Sequence, residues 1–259
     1  MKKVFIVLLL ARSLCLLGTG GCQLFQYWEE SHQSNQVYSG LEEYVRRPDT
    51  TPDTDFYSPP SQDDEEAPIL IPDIDFASLQ EINPDIVGWL YCEDTPIHYP
   101  VVQGEDNSYY LKHLFDGTYN ANGCLFLDSR VKNDFSEAYS IIYGHHMKNG
   151  TMFSSLDGYK RQEYYEAHPN LLLITPEQTY LLNLFSGYVA SVEDHAWDIS
   201  FQNELEFEEW LISATENSCF ESHVCPSSTD RILTLSTCSY EFDNARFVIL
   251  GILEPITKD

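Results

Sequence analysis

The chain has 259 residues, of which 43% are hydrophobic and 14% aromatic, enough for a globular body with a sizeable core. Its 41 acidic residues against 14 basic ones leave a net charge of −27. With no basic patch to offset that charge, nucleic acid is excluded as a partner.

The chain opens with Met1-Lys2-Lys3 and then runs apolar from Val4 to Leu17, interrupted by Arg12, Ser13 and Cys15. Two lysines before an apolar run match the start of a secretory signal, which would be cleaved or lipidated. Thr19-Gly20-Gly21-Cys22 superficially resembles a lipoprotein site, but Thr19 stands where that motif needs Leu. Extended through Trp28, the run reaches about 20 residues, enough to span a bilayer with aromatics at the outer interface. Arg12 counts against the span, since a mid-membrane charge costs about 2.5–3.5 kcal/mol on insertion scales. The reading adopted is an uncleaved anchor over 1–28, with the N-terminus cytoplasmic and the body outside.

Val37, Leu41 and Tyr44 fall at helical spacing and predict a juxtamembrane helix over 29–46. Residues 47–72 then carry Pro48, Pro52, Pro59, Pro60, Pro68 and Pro72 around the acidic run 63–66. That composition predicts an extended acidic linker.

The body is expected over 73–259. A short helix is predicted at 76–82 and a strand at 86–92. The segment 95–102 reads as a strand interrupted by proline, and so as an edge. Residues 107–113 give one or two helical turns, and 123–127 and 138–143 give strands. Short helices follow at 152–159 and 162–168, then strands at 171–175 and 178–192. From 201 to 218, Phe201, Leu205, Phe207, Trp210, Leu211 and Ala214 alternate with acidic residues in the pattern of a long amphipathic helix. Two strands close the chain. About eight short strands with frequent turns predict a mainly β fold, a β barrel with short helices and one long helix before the last strands.

There are seven cysteines: Cys15, Cys22, Cys92, Cys124, Cys219, Cys225 and Cys238. Cys219 and Cys225 are near enough in sequence to bridge, and an odd count leaves at least one free thiol. No Cys/His spacing suggests zinc, so neither metal nor cofactor is expected.

The segment Thr234-Leu-Ser-Thr-Cys238 ends a buried strand in a thiol, and eight residues later Arg246 opens the last apolar run. A cysteine at a strand end usually packs as a small hydrophobe. A second strand changes that reading, because Ser140-Ile-Ile-Tyr-Gly-His145-His146-Met also ends in a polar rim, here of histidines. A thiolate needs a proton partner near neutral pH, and His is the usual one. A forked, permanently charged guanidinium suits an oxygen that becomes negative during acyl transfer.

TLSTC, an arginine opening the final strand and an upstream YGHHM together resemble the sortase family, and class B within it, over roughly 77–254. The resemblance implies a closed eight-stranded sortase barrel. It also implies Cys238 as nucleophile, His145 as general acid/base and Arg246 as oxyanion stabiliser. His145 directly follows Gly144 as in the family's Gly-His pair, and strand neighbours point to opposite sides, so His146 is left to local packing or hydrogen bonding. Asn107 and Leu111 match the spacing of an Asn and a Leu that line the class B groove. Tyr143 and Ser236 share faces with His145 and Cys238, and join them as substrate-binding candidates. Trp197 is placed to wall the groove, with its alignment open.

The implied activity is transpeptidation. A sorting signal of LPxTG or NPxTG type on a surface protein is cut after Thr and passed to an amine of the peptidoglycan precursor or cross-bridge. The implied location is the outer face of a Gram-positive type membrane. Three alternatives stay open: a hydrolytic cysteine endopeptidase, a pilin-polymerising sortase, and a non-enzymatic binding module on the same barrel.

Overall fold

The computed structural model describes residues 2–47, 56–57 and 69–256, with the side chains of 2–17, 56–57 and 195 outside that description. Helix α1 runs Lys2–Gly40. A 3-10 turn at Leu41–Tyr44 follows, and then strand β1, Val45–Arg46. The helix predicted over 29–46 therefore joins the preceding segment and stops at Gly40. Val45 and Arg46 leave it to pair with Ile74 and Asp73 of β4, Asp73–Ile74. Of the predicted linker, 48–55 and 58–68 lie outside the described residues. Strand β2, Phe56–Tyr57, pairs with β3, Ile69–Leu70. Among the described residues no helix is long and apolar enough to cross a membrane. The apolar run 4–17, on which the anchor reading rests, lies where side chains are not described.

The body is a closed eight-stranded barrel. Its strands are β5 (Ile86–Tyr91), β6 (His98–Val102), β7 (Leu125–Leu127), β8 (Tyr139–Tyr143), β9 (Asn170–Ile174), β10 (Thr179–Ser191), β11 (Ile232–Cys238) and β12 (Ala245–Pro255). Their order around the barrel is β10-β12-β11-β8-β7-β6-β5-β9. The pairs β6–β7 and β8–β11 are parallel and the other neighbours antiparallel. Alternate residues such as Leu90, Val101, Leu125, Ile142, Leu173, Leu182, Leu235 and Ile249 fill the interior.

Strand β6 is not an edge as predicted, because the barrel has none. Pro100 is accommodated because the ladder to β7 begins only at Val101, past the residue that lacks an N–H.

Helix α2 (Phe76–Ile82) is capped by Asp75, whose carboxylate accepts from Ser78 N–H, and α3 spans Gln162–Ala167. Helix α4 spans Glu204–Glu216, shorter at both ends than the predicted 201–218. Asn203 caps its start by accepting from Glu206 N–H, and Asn217 ends it. Phe201, outside the helix, still packs on Phe207 and Trp210. α4 packs on β10, where Ser186 O–H donates to Ala214 O, and its Phe207, Leu211 and Ala214 join the apolar cluster on the outer face of β8, β10, β11 and β12.

The end of α1 is bound to the barrel. Tyr38 O–H donates to Gly123 O at 2.6 Å, and Asn120 Nδ2 donates to Glu30 O at 2.9 Å. Asn149 Nδ2 donates to Ser31 Oγ at 2.9 Å. Burial among Cys124 and Tyr99 pushes the Tyr38 hydroxyl far above its ordinary pKa, so it is a permanent donor there. Cys219 and Cys225 are free thiols.

Candidate active site

Strand β11 sends Leu233 and Leu235 into the barrel, so alternation turns Thr234, Ser236 and Cys238 to the outer face. Cys238 is the last residue of the strand and is half-buried. Its partner across the antiparallel ladder to β12 is Arg246. Strand β8 lies on the other side of β11 in parallel register, with Ser236 opposite Tyr143. Gly144 N–H extends that ladder by donating to Ser236 O at 3.0 Å. His145 and Cys238 each lie two residues beyond the Tyr143–Ser236 pair. They therefore leave the barrel at the same end with the same parity.

Two glycines make this exit possible. A Cβ on Gly144 would collide with Leu125 and Phe153, so no larger residue can precede His145 without displacing the core. Gly123 has φ +60°, and a Cβ there would come within 2.5 Å of Tyr110 O and 3.1 Å of His145 Cδ2. The His145 ring lies over this bare backbone, and its Nε2 is 2.7 Å from Leu111 O. A carbonyl only accepts, so Nε2 carries a proton and Nδ1 is the nitrogen left to exchange one.

His146 faces elsewhere. Its Nε2 is 2.8 Å from Asp157 Oδ2, and its ring meets Tyr240 edge-on. Asp157 also binds Lys160 Nζ at 2.7 Å, and Lys160 reaches Glu241 at 2.6 Å while lying over the Phe247 ring. Ser239 O–H donates to Glu241 in turn. Lys160, then Ser239, hold the Glu241 carboxyl down at about 2. The loop that follows the cysteine is thus pinned to the 3-10 turn Phe153–Lys160.

Arg246 stands apart from this network. Its Nη1 donates to Ala245 O at 2.9 Å, and among the described residues it forms no ion pair. Glu241, the carboxylate nearest in sequence but one, is committed to Lys160 instead.

Each groove candidate has a definite place. Asn107 Oδ1 accepts from Ser129 N–H at 2.7 Å, which sets the loop after β7. Leu111 supplies the carbonyl that orients His145. Tyr143 O–H donates to Asp128 Oδ2 at 2.9 Å. Ser236 Oγ accepts from Trp197 Nε1 at 3.2 Å. The structure therefore gathers Tyr143, Ser236 and Trp197 on the outer face beside Cys238, while Asn107 and Leu111 act on that region through polar contacts.

Sequence reasoning missed Asp128, Arg130, Asp157 and Lys160. Asp128 is fully buried and takes two bonds from the Arg130 side chain, at 2.9 and 2.7 Å, plus one from its backbone. Burial alone would raise its pKa, but Arg130, Asn107 and Tyr143 outweigh that and hold it at about 2. An Asp-x-Arg placed directly after the buried run Leu125–Leu127 was the available signal. Among the described residues no group of three or more His, Cys, Asp or Glu is placed to hold a metal ion.

A barrel with a cysteine, an arginine and a histidine brought to one rim in this register is that of a cysteine transpeptidase. Residues 90–254 match the sortase domain family, and the chain belongs to the sortases. Its relatives place it in class B. It is 37% identical over 182 residues to sortase B of Listeria monocytogenes, covering 70% of this chain and 73% of that one. The solved complex of Staphylococcus aureus sortase B with a substrate superposes with TM-score 0.67 at 33% identity, covering 70% of this chain and 85% of that one. A sortase B complexed with triglycine gives TM-score 0.67 at 33% identity, with 70% and 86% covered.

Proposed function

We propose that this class B sortase cleaves a sorting signal of LPxTG or NPxTG type after Thr and joins the new carboxyl end to a cell-wall amine. The observation that carries the reading is the pairing of Cys238 with an Arg246 that has no carboxylate partner among the described residues, beside a His145 fixed through one nitrogen. In the first half-reaction His145 Nδ1 takes the Cys238 thiol proton as the sulfur attacks the Thr carbonyl, forming a tetrahedral oxyanion that Arg246 stabilises. The C–N bond breaks as His145 gives a proton to the departing amine, leaving a thioester on Cys238. In the second, an acceptor amine attacks that thioester, loses a proton to His145 and expels the thiolate. The substrate-bound and triglycine-bound sortase B structures support both halves by likeness.

Asn107, Leu111, Tyr143 and Ser236 line or set the groove for the signal. Residues 1–28 hold the enzyme in the membrane, with the barrel on the outer face of a Gram-positive type envelope and 47–72 as a spacer. Support for the anchor is the Lys2-Lys3 flank, the apolar run 4–17 and the poor lipidation motif around Cys22.

The test is incubation with a panel of LPxTG and NPxTG peptides, with and without triglycine, read by mass spectrometry. Amine-dependent ligation after Thr is expected. Cleavage that ignores added amine would make the enzyme a hydrolase. Mass analysis of the membrane-extracted protein checks the anchor, because a chain beginning at Cys22 or Gln23 would show processing.

A further inference from the structure

The segment between β10 and α4 carries Trp197, and three bonds from three different strands or strand ends hold it over the outer face. Tyr139 O–H on β8 donates to Ala196 O at 2.7 Å. Arg130 Nη2, just beyond β7, donates to Trp197 O at 3.2 Å. Trp197 Nε1 donates to Ser236 Oγ on β11 at 3.2 Å. Arg130 can hold that carbonyl only because its guanidinium is oriented by the fully buried Asp128. The same carboxylate accepts a hydrogen bond from the Tyr143 hydroxyl. One buried charge thus fixes both a β8 side chain and, through Arg130, the wall facing β11.

These bonds also commit the two hydroxyls. Tyr143 donates to Asp128, and Ser236 accepts from the indole and is buried beneath it. The Trp197 ring is thus held at a fixed height over β11, two residues before Cys238.

We propose that Asp128 and Arg130 are positioning residues for substrate recognition: they latch Trp197 over β11 as a fixed wall beside Cys238 for an extended peptide. The inference rests on the sorting-peptide reading above. Neither residue touches the reacting atoms, so the latch acts on binding and not on the chemical step.

Arg130 is the better site to test, since its side chain is half exposed whereas Asp128 is enclosed. Arg130→Gln keeps a donor but loses the charge and the fork. It is expected to raise KM about tenfold, the scale of one lost charge-assisted contact, while kcat stays within about threefold. Arg130→Lys keeps the charge but loses the two-pronged grip of Nε and Nη2 on Asp128, and should fall between Arg130→Gln and wild type. Alkylation of Cys238 by iodoacetamide should be unchanged in both variants. Limited proteolysis at Glu193 by a Glu-specific protease should be faster in Arg130→Gln than in wild type, and this needs no substrate peptide.

Loss of kcat with KM intact would overturn the proposal, as would wild-type KM together with wild-type proteolysis. If no peptide is turned over by the wild type, the functional reading fails on its own, and the proteolysis rate still decides whether the latch exists. Should Arg130→Gln not fold, Trp197→Phe, which removes only the bond to Ser236, must raise KM without lowering kcat.

Discussion

The two sides of the catalytic rim are built on opposite principles. The wall side is saturated: Asp128, Arg130, Tyr143, Trp197 and Ser236 are bonded to one another, and on the far flank His146 Nε2, Asp157, Lys160 and Glu241 do the same, with His146 Nδ1 buried and unbonded among the described residues. The reacting side is bare. Among the described residues Arg246 bonds just a neighbouring carbonyl, His145 has one nitrogen committed, and Cys238 is half-exposed at a strand end. On the proposed roles, groups that hold shape have their partners inside the protein, and groups that meet substrate leave their bonding capacity open. An intramolecular partner for Arg246 would have to be displaced before an oxyanion could bind.

Removing the bare groups should be catastrophic and trimming the saturated ones graded. Cys238→Ala should abolish both thioester and turnover, and a peptide adduct on another cysteine under mass spectrometry would move the nucleophile. His145→Ala should cost at least about 10²-fold in kcat/KM, the lower range for loss of an acid/base. Arg246→Lys keeps the charge but loses the fork, and should cost about 10–10³-fold, near the loss of one oxyanion donor. Simple alkylation of Cys238 needs no oxyanion site and should barely change in that variant. Peptide turnover by Arg246→Lys at the wild-type rate would remove Arg246 from the mechanism.

The saturated side predicts a stability signature. The Asp128 carboxyl is held at about 2 in the fold, below its unfolded value of 3.8. A group depressed on folding stabilises above its unfolded pKa and loses that contribution as pH falls through the folded one. For Asp128 this is about 2 kcal/mol, present above about pH 4 and lost toward pH 2. Glu241 titrates in the same direction and steepens the loss. Urea titrations between pH 5 and 2 should show the decline, and Asp128→Asn should flatten it. The smallest effect is expected of His146→Ala, within about fivefold in kcat/KM, since it breaks a partly exposed hydrogen bond to Asp157 on the flank. If His146→Ala matched His145→Ala, the distinction between the two neighbours would fail.

That Cys238, His145 and Arg246 come to one rim was legible in the sequence, and the saturated side was not. Cys238, His145 and Arg246 each sit where a buried apolar run gives way to polar residues, a break visible in one dimension. Most barrel strands were legible for the same reason, through runs such as 171–175 and 247–253. Asp128 and Arg130 look like an ordinary turn after a short strand, and only the closed barrel brings them beneath Trp197 and Tyr143. Pro100 misled because proline usually marks an edge, whereas here the parallel ladder starts one residue later. The ends of α4 shifted because Asn203 and Asn217 cap it, a local bond that outranks the periodicity of Phe201.

The parallel pairing of β8 with β11 has a consequence for how such a chain can vary. On the proposed roles, the phase of the chemistry is carried by a single registration, Tyr143 against Ser236. The two 3-10 turns, two helices and two strands between residues 146 and 231 can gain or lose residues in their loops without disturbing it. One residue inserted between Tyr143 and His145, or between Ser236 and Cys238, would turn a reacting side chain toward the barrel interior. Length variation is thus free over most of the catalytic body and forbidden across two gaps of one residue each.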